Sequence, residues 1–287
     1  MKLLFSLLLI TIPLLVNAQW EENLIRKSAI KSGYKSPTDI NADFDSQKSF
    51  LGKIFFETTM LSFNGDTSCS SCHIDKFSSA DGLPNAIGVG GHGEGFERLK
   101  SNGDIVPRNT LALWGRGSRS FQNFFWDGKV DFIDGKIVSQ FHDKPPSKDL
   151  LVIASHLPFV EIREMVMDDD LVRENYKNEN VNSAEEIQDI LFERMCNDQE
   201  IKLLIENSYN QQCESLNFKI IPESIAHFIR DKFALRDSKF SDFMSDKTEL
   251  SKNEIKGAII FFGKGQCSSC HNGPHFSDFN FYRILYP

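Results

Sequence analysis

Two pentapeptides in this 287-residue chain carry residue types from which a chemistry can be read. Cys69-Ser70-Ser71-Cys72-His73 and Cys267-Ser268-Ser269-Cys270-His271 are identical. Both match C-x-x-C-H, the attachment signature of c-type haem. Two thiols about one helical turn apart can form thioethers with the two vinyl groups of one porphyrin, and the adjacent imidazole then faces the iron. Cys69, Cys72 and His73 are thus candidates to hold one haem, and Cys267, Cys270 and His271 a second. The competing chemistry is a zinc site, or a set of redox dithiols, built from the same two C-x-x-C units. A histidine trailing both pairs, and nearly two hundred residues between them, favour two covalently bound haem c groups.

The start of the chain points to the compartment in which such attachment takes place. Met1 to Ala18 reads as a secretory leader, with Lys2, an apolar run from Leu3 to Val16, and Val16-Asn17-Ala18 as the cleavage site. The run is shorter than the ~20 residues needed to span a bilayer and is followed by Gln19-Trp20-Glu21-Glu22. The expectation is a periplasmic protein whose mature chain begins at Gln19 and has no membrane span. Cys196 and Cys213 have no histidine beside them and close a sixteen-residue loop, which reads as a disulfide rather than a catalytic pair.

Composition narrows the remaining classes. Lys and Arg total 32 against 40 Asp and Glu, giving a net charge of −8 without any basic block, which argues against a nucleic-acid partner. The 40% hydrophobic and 25% charged fractions are those of a globular protein, and a mean hydropathy of −0.30 excludes a polytopic membrane protein. The 25 Phe suit thick apolar packing or a large planar cofactor.

The elements that must position these residues are mostly helices. Gly52-Lys53-Ile54-Phe55-Phe56 precedes the first haem motif and Gly257-Ala258-Ile259-Ile260-Phe261-Phe262 the second, so each motif follows what reads as a helix. Ser251 with Glu254 forms a capping box for the second of these, and Gly263 and Gly265 end it. Ser183 to Met195 and Pro222 to Phe233 have apolar residues at helical spacing, whereas Ile74 to Ser120 is rich in Gly, Asn, Ser and Pro. Few stretches alternate with period two. The expected fold is mainly α, with two cytochrome c-like haem domains and long loops. The first domain is expected over 19–215 and the second over 216–287.

Beyond the haem motifs, Leu51 to Phe56, Ala80-Asp81-Gly82-Leu83-Pro84, Pro107-Arg108-Asn109-Thr110, Phe125-Trp126-Asp127-Gly128-Lys129, Glu164-Met165 and Phe276-Ser277-Asp278 occur in a specific order and spacing. In these stretches the chain resembles the bacterial dihaem cytochrome c peroxidases, including the related methylamine-utilisation dihaem enzymes. The resemblance implies a peroxidatic N-terminal haem with His73 as proximal ligand, and an electron-delivering C-terminal haem with His271. It implies that His92, in Gly90-Gly91-His92-Gly93, is a second ligand of the peroxidatic iron that leaves on activation. Glu164 would be the distal carboxylate that moves a proton between the peroxide oxygens, Trp126 the indole between the haems, and Asn109 a calcium ligand. The implied partners are hydrogen peroxide and a small cytochrome c or cupredoxin as electron donor, and homodimers are common in such a family. Family members continue for roughly a hundred residues past the second motif, so the resemblance implies an incomplete second domain whose distal haem ligand lies beyond Pro287.

Two other readings stay open on sequence. One is a dihaem electron carrier with both irons closed, and the other is oxidation of a protein or organic substrate. All three require covalent haem, so the intact mass of the exported protein is expected to exceed that of its polypeptide by two increments of about 616 Da. A mass without haem would return the reading to zinc or disulfides.

Overall fold

The structure, a computed structural model, describes residues 19–167 and 181–283. The leader expected at Met1 to Ala18 lies outside the described residues. Helices run over 19–31 (α1), Pro37–Ile40 (α2), Ser46–Glu57 (α3), Cys69–Cys72 (α4), Leu150–His156 (α5), Val181–Asn197 (α6), Gln199–Tyr209 (α7), Ile220–Lys232 (α8), Lys239–Met244 (α9) and Lys252–Phe262 (α10). The chain is mainly helical, as the apolar spacing predicts. Short 3-10 turns and irregular backbone carry residues 74–120.

One antiparallel hairpin departs from that reading: β1, Val130–Ile133, pairs with β2, Lys136–Ser139, with Val130 opposite Ser139. Its two central residues, Asp134 and Gly135, have φ of 50° and 77°. Asp-Gly is the favoured sequence for this tight hairpin turn, so the signal was present in Val130-Asp131-Phe132-Ile133-Asp134-Gly135.

The chain folds as two compact units, residues 42–234 and residues 19–41 with 235–283. The units divide the chain after residue 234, whereas the sequence reading places the boundary between residues 215 and 216. Helix α8 belongs to the first unit because its apolar face is the seat of α3. Ile221, Ile225 and Ile229 of α8 are buried, as are Leu51, Phe55 and Phe56 of α3. Residues 19–41, which the sequence reading assigned to the first domain, supply α1 and α2 to the other unit.

In the 42–234 unit, the Asp45 side chain caps α3 by accepting from the Gln47 and Lys48 N–H groups at 2.8 and 3.0 Å. Gly52 then lets α3 lie directly on α8, since a Cβ there would sit 1.9 Å from the Ser224 carbonyl oxygen. Ser224 is itself buried and within hydrogen-bond distance of the Tyr209 hydroxyl of α7, at 3.0 Å. Beyond the C-terminal end of α3, Arg194 of α6 donates to the carbonyls of Met60, Ser62 and Phe63 at 2.7, 2.8 and 3.2 Å, fixing the chain just before the first haem motif. The Cys196–Cys213 disulfide forms as expected and staples the end of α6 to the turn after α7. Closing a loop of this length contributes about 3 kcal/mol by restricting the unfolded chain.

The smaller unit has its own apolar centre of Ile25, Phe243 and Ile255. Ser251 and Glu254 cap α10 reciprocally, at 2.6 and 3.4 Å. Arg26 of α1 lies over the Phe243 ring and pairs with Asp246 at 3.0 Å.

The glycines that open the stretches before the two haem motifs do different work: Gly52 is a packing contact, whereas nothing lies within 4 Å of a Cβ at Gly257. Gly52→Ala is expected to cost about 3 kcal/mol or more, because backbone on both sides must move. Gly257→Ala is expected to leave stability unchanged or raise it by up to about 1 kcal/mol through helix propensity. Denaturant unfolding of the two variants checks the contrast.

Candidate active site

The first haem motif folds locally for simple reasons. The Ser68 N–H donates to Ser71 Oγ at 3.1 Å, and the His73 N–H closes the turn on the Cys69 carbonyl at 2.9 Å. Cys69 and Cys72, three residues apart on one helical turn, share a face. Both thiols are unbridged, and burial pushes each up to about 12, so they stay protonated. His73 Nδ1 bonds the Ser79 carbonyl at 2.9 Å, which with Nδ1 as donor puts the lone pair on Nε2, beside the Leu111 backbone. Burial holds this imidazole down at about 4, in the neutral form that binds a metal. Ser79 is fixed in turn, since its Oγ accepts from the Leu113 N–H at 2.8 Å.

A cavity of about 2020 Å³ opens beside these groups. Ordinary small-molecule sites hold roughly 300–1,000 Å³. Cys69, Cys72 and His73 line it together with apolar walls from Phe56, Leu113, Phe124, Leu151, Phe159 and Ile225. Arg108 and Arg116 also line it, and Arg116 remains charged at neutral pH although burial lowers it to about 10. The donor set fits a covalently held haem: two protonated thiols on one turn, an imidazole with its outer nitrogen fixed, an apolar slot, and cations for the carboxylates of the macrocycle.

Glu164 stands on the same wall. It lies in a tight turn in which the N–H groups of Glu164, Met165 and Val166 all point at the Glu161 carbonyl, at 3.2, 3.1 and 3.2 Å. Arg163 takes a φ of 74° to make the turn. Gly88 secures it from outside: the Val89 N–H donates to the Arg163 carbonyl at 3.3 Å, and a Cβ on Gly88 would lie 1.7 Å from that oxygen. Burial raises the Glu164 carboxyl to about 7, the negative charge of Glu161 adds to the rise, and Lys129 opposes it. Lys129 and Glu161 form an ion pair at 2.6 Å. Sequence reasoning missed this pair, although Lys129 ends the Trp126-containing motif and Glu161 is three residues before Glu164.

The structure brings Trp126 and Asn109 together. Both line the cavity, and Trp126 Nε1 donates to the Asn109 carbonyl at 3.0 Å while the indole stays 49% exposed. The Asn109 side chain is exposed, and no group of three or more His, Cys, Asp or Glu among the described residues could hold a metal ion. His92 is not on the cavity wall: it is exposed, and its N–H donates to Ser101 Oγ at 3.2 Å. His142 and His156 also line the cavity. His156 is buried, with Nδ1 bonded to the Val152 carbonyl at 2.8 Å.

The second motif, in the smaller unit, repeats the local arrangement. The His271 N–H donates to the Cys267 carbonyl at 2.9 Å and His271 Nδ1 bonds the Phe276 carbonyl at 3.1 Å. Cys267 and Cys270 are unbridged and exposed. These residues fit a second haem by the same tests of free thiols and a fixed imidazole.

Fold and site together define a c-type cytochrome with two attachment sites and a carboxyl in the wall of the first. A sequence-family model described as di-haem cytochrome c peroxidase matches residues 46–249, and the chain belongs to that family. It is 22% identical over 266 residues to the methylamine utilization protein MauG of Methylorubrum extorquens, covering 90% of this chain and 59% of that one. It is 26% identical over 229 residues to the cytochrome-c peroxidase IdrP2 of a Pseudomonas species, covering 79% and 48%. Among solved structures, a MauG-like protein associated with microbial copper homeostasis superposes with a TM-score of 0.56 at 21% identity, covering 86% of this chain and 57% of that one. The diheme peroxidase BthA from Burkholderia thailandensis gives 0.53 at 17%, covering 83% and 52%. The chain thus spans about half to three fifths of the length of these relatives.

Gly88→Ala is expected to displace the Arg163 carbonyl and with it the Glu164 turn, lowering stability by about 2 kcal/mol or more. Thermal unfolding beside the wild type measures the loss.

Proposed function

We propose that this protein is an exported dihaem peroxidase that reduces hydrogen peroxide to water with electrons from a small cytochrome c or cupredoxin. The observation that carries the reading is a carboxyl, Glu164, raised to about 7 in the wall of the cavity that His73 serves. Haem, when bound, supplies the iron that accepts peroxide oxygen and the electrons that break the O–O bond. The chain's residues do the proton work. Glu164 as carboxylate takes the proton from the inner peroxide oxygen and returns it to the outer one, which leaves as water. A pKa near neutrality suits a group that must both accept and give a proton. His73 would hold the iron, its imidazole oriented by the Ser79 carbonyl.

Trp126, at the cavity and partly exposed, is suited to pass electrons toward the first haem, and the haem held by Cys267, Cys270 and His271 is the source. His92 can reach the iron only if its glycine-flanked loop swings inward, so we assign it to a resting form. Asn109 is the candidate for a calcium ligand through its exposed amide. The Cys196–Cys213 disulfide supports export to an oxidising compartment. No helix among the described residues is long and apolar enough to cross a membrane.

Glu164→Gln is expected to slow the reaction with peroxide by about 10²–10⁴-fold while leaving both haems attached. Because the carboxylate is the form that takes the first proton, the wild-type rate is expected to rise with pH through about 7 and level off above it. Glu161→Gln removes a neighbouring negative charge and is expected to move that midpoint down; Lys129→Gln is expected to move it up. Stopped-flow mixing with peroxide across pH reads all three, and an unchanged rate in the Glu164→Gln variant would sink the assignment.

A further inference from the structure

Asp81 is a buried carboxylate that the site described so far does not use. It is 1% exposed, its Oδ1 accepts from the Leu83 N–H at 3.1 Å, and its Oδ2 has no hydrogen-bond partner. Buried carboxylates are ordinarily paired with a cation or bound to a metal, because an isolated charge in a low-dielectric interior is costly. Position shows where the compensating charge stands. Ile74 and Ala80 form an antiparallel bridge, with the Ile74 N–H on the Ala80 carbonyl at 3.0 Å and the Ser79 N–H on the Ile74 carbonyl at 2.9 Å. His73 precedes Ile74 and Asp81 follows Ala80, so the two residues flank this one isolated bridge.

We propose that Asp81 is a positioning residue for the first haem, its negative charge standing beside the His73 imidazole and compensating the net positive charge of the ferric haem that His73 ligates. Reduction removes that positive charge, so Asp81 favours the oxidised iron and lowers the potential of this haem. Asp81 touches neither peroxide nor the reacting atoms and acts through His73. The proposal rests on His73 as an iron ligand, and its test needs no peroxide turnover.

The test compares full-length, haem-loaded wild type with Asp81→Asn and Asp81→Glu. Asn keeps an oxygen for the Leu83 N–H and loses the charge; Glu keeps the charge. In D81N the midpoint potential of the first haem is expected to rise and its ferrous iron–histidine stretching frequency to fall, with the haem at Cys267–His271 unchanged as an internal reference. D81E is expected to stay near the wild-type potential. A wild-type potential and stretching frequency in D81N, or a shift in D81E as large as that in D81N, would overturn the proposal. Should D81N fail to load haem, D81E carries the test alone: a potential near wild type upholds the proposal and an upward shift overturns it. A protein that does not react with peroxide but whose first-haem potential follows the Asp81 charge would refute the peroxidase reading and leave this one standing.

Discussion

The interaction around which the cavity wall is arranged is the desolvation of the half-buried Glu164 carboxyl. A carboxyl on an open surface ionises near pH 4 and cannot hand a proton back at neutral pH. In the wall of the cavity, with Glu161 nearby, ionisation is deferred to about 7. Desolvation supplies most of this, the Glu161 charge adds to it, and Lys129 opposes both. The tight turn at 161–166 and its seat on Gly88 hold this carboxyl at one point on the cavity wall.

Everything else in the larger unit frames that cavity. Helix α3 lies on α8 through Gly52, places Phe56 at the wall, and delivers the chain to the turn that Arg194 anchors. From there α4 presents both thiols on one face. His73 is set by a chain of bonds through the Ser79 carbonyl and the Ser79 hydroxyl to Leu113. A neutral imidazole with its outer nitrogen fixed is what an iron requires. The same logic recurs at His271 and Phe276 in the smaller unit, so the two attachment sites are local devices that each unit builds from its own chain.

Much of this was legible in the sequence because attachment chemistry is local. C-x-x-C-H places two thiols and an imidazole within one turn, and no tertiary contact alters that reading. The helices α6, α8 and α10 and the Cys196–Cys213 bond were legible for the same reason, since periodicity, caps and the isolation of two cysteines act over short spans. The division of the chain was not. Helix α8 reads as amphipathic in either domain, and only its partner α3, more than 150 residues earlier, decides where it belongs. The hairpin at 130–139 was overlooked because its strands are short and half exposed, although Asp134-Gly135 announced the turn. The Lys129–Glu161 pair and the orphaned oxygen of Asp81 depend on long-range placement, which no spacing rule encodes. His92 was legible only as a histidine in a glycine-rich loop, and its exposed position reflects a loop held by Ser101 rather than by the cavity.

The central claim is that Glu164 keeps its proton up to neutral pH. Infrared difference spectroscopy of the haem-loaded protein, with the Glu164→Gln variant as reference, measures this directly through the protonated carboxyl stretch. The account predicts a Glu164 band that persists through pH 6 and disappears around pH 7. A band already lost by about pH 5, in the range of an ordinary carboxylate, would contradict it.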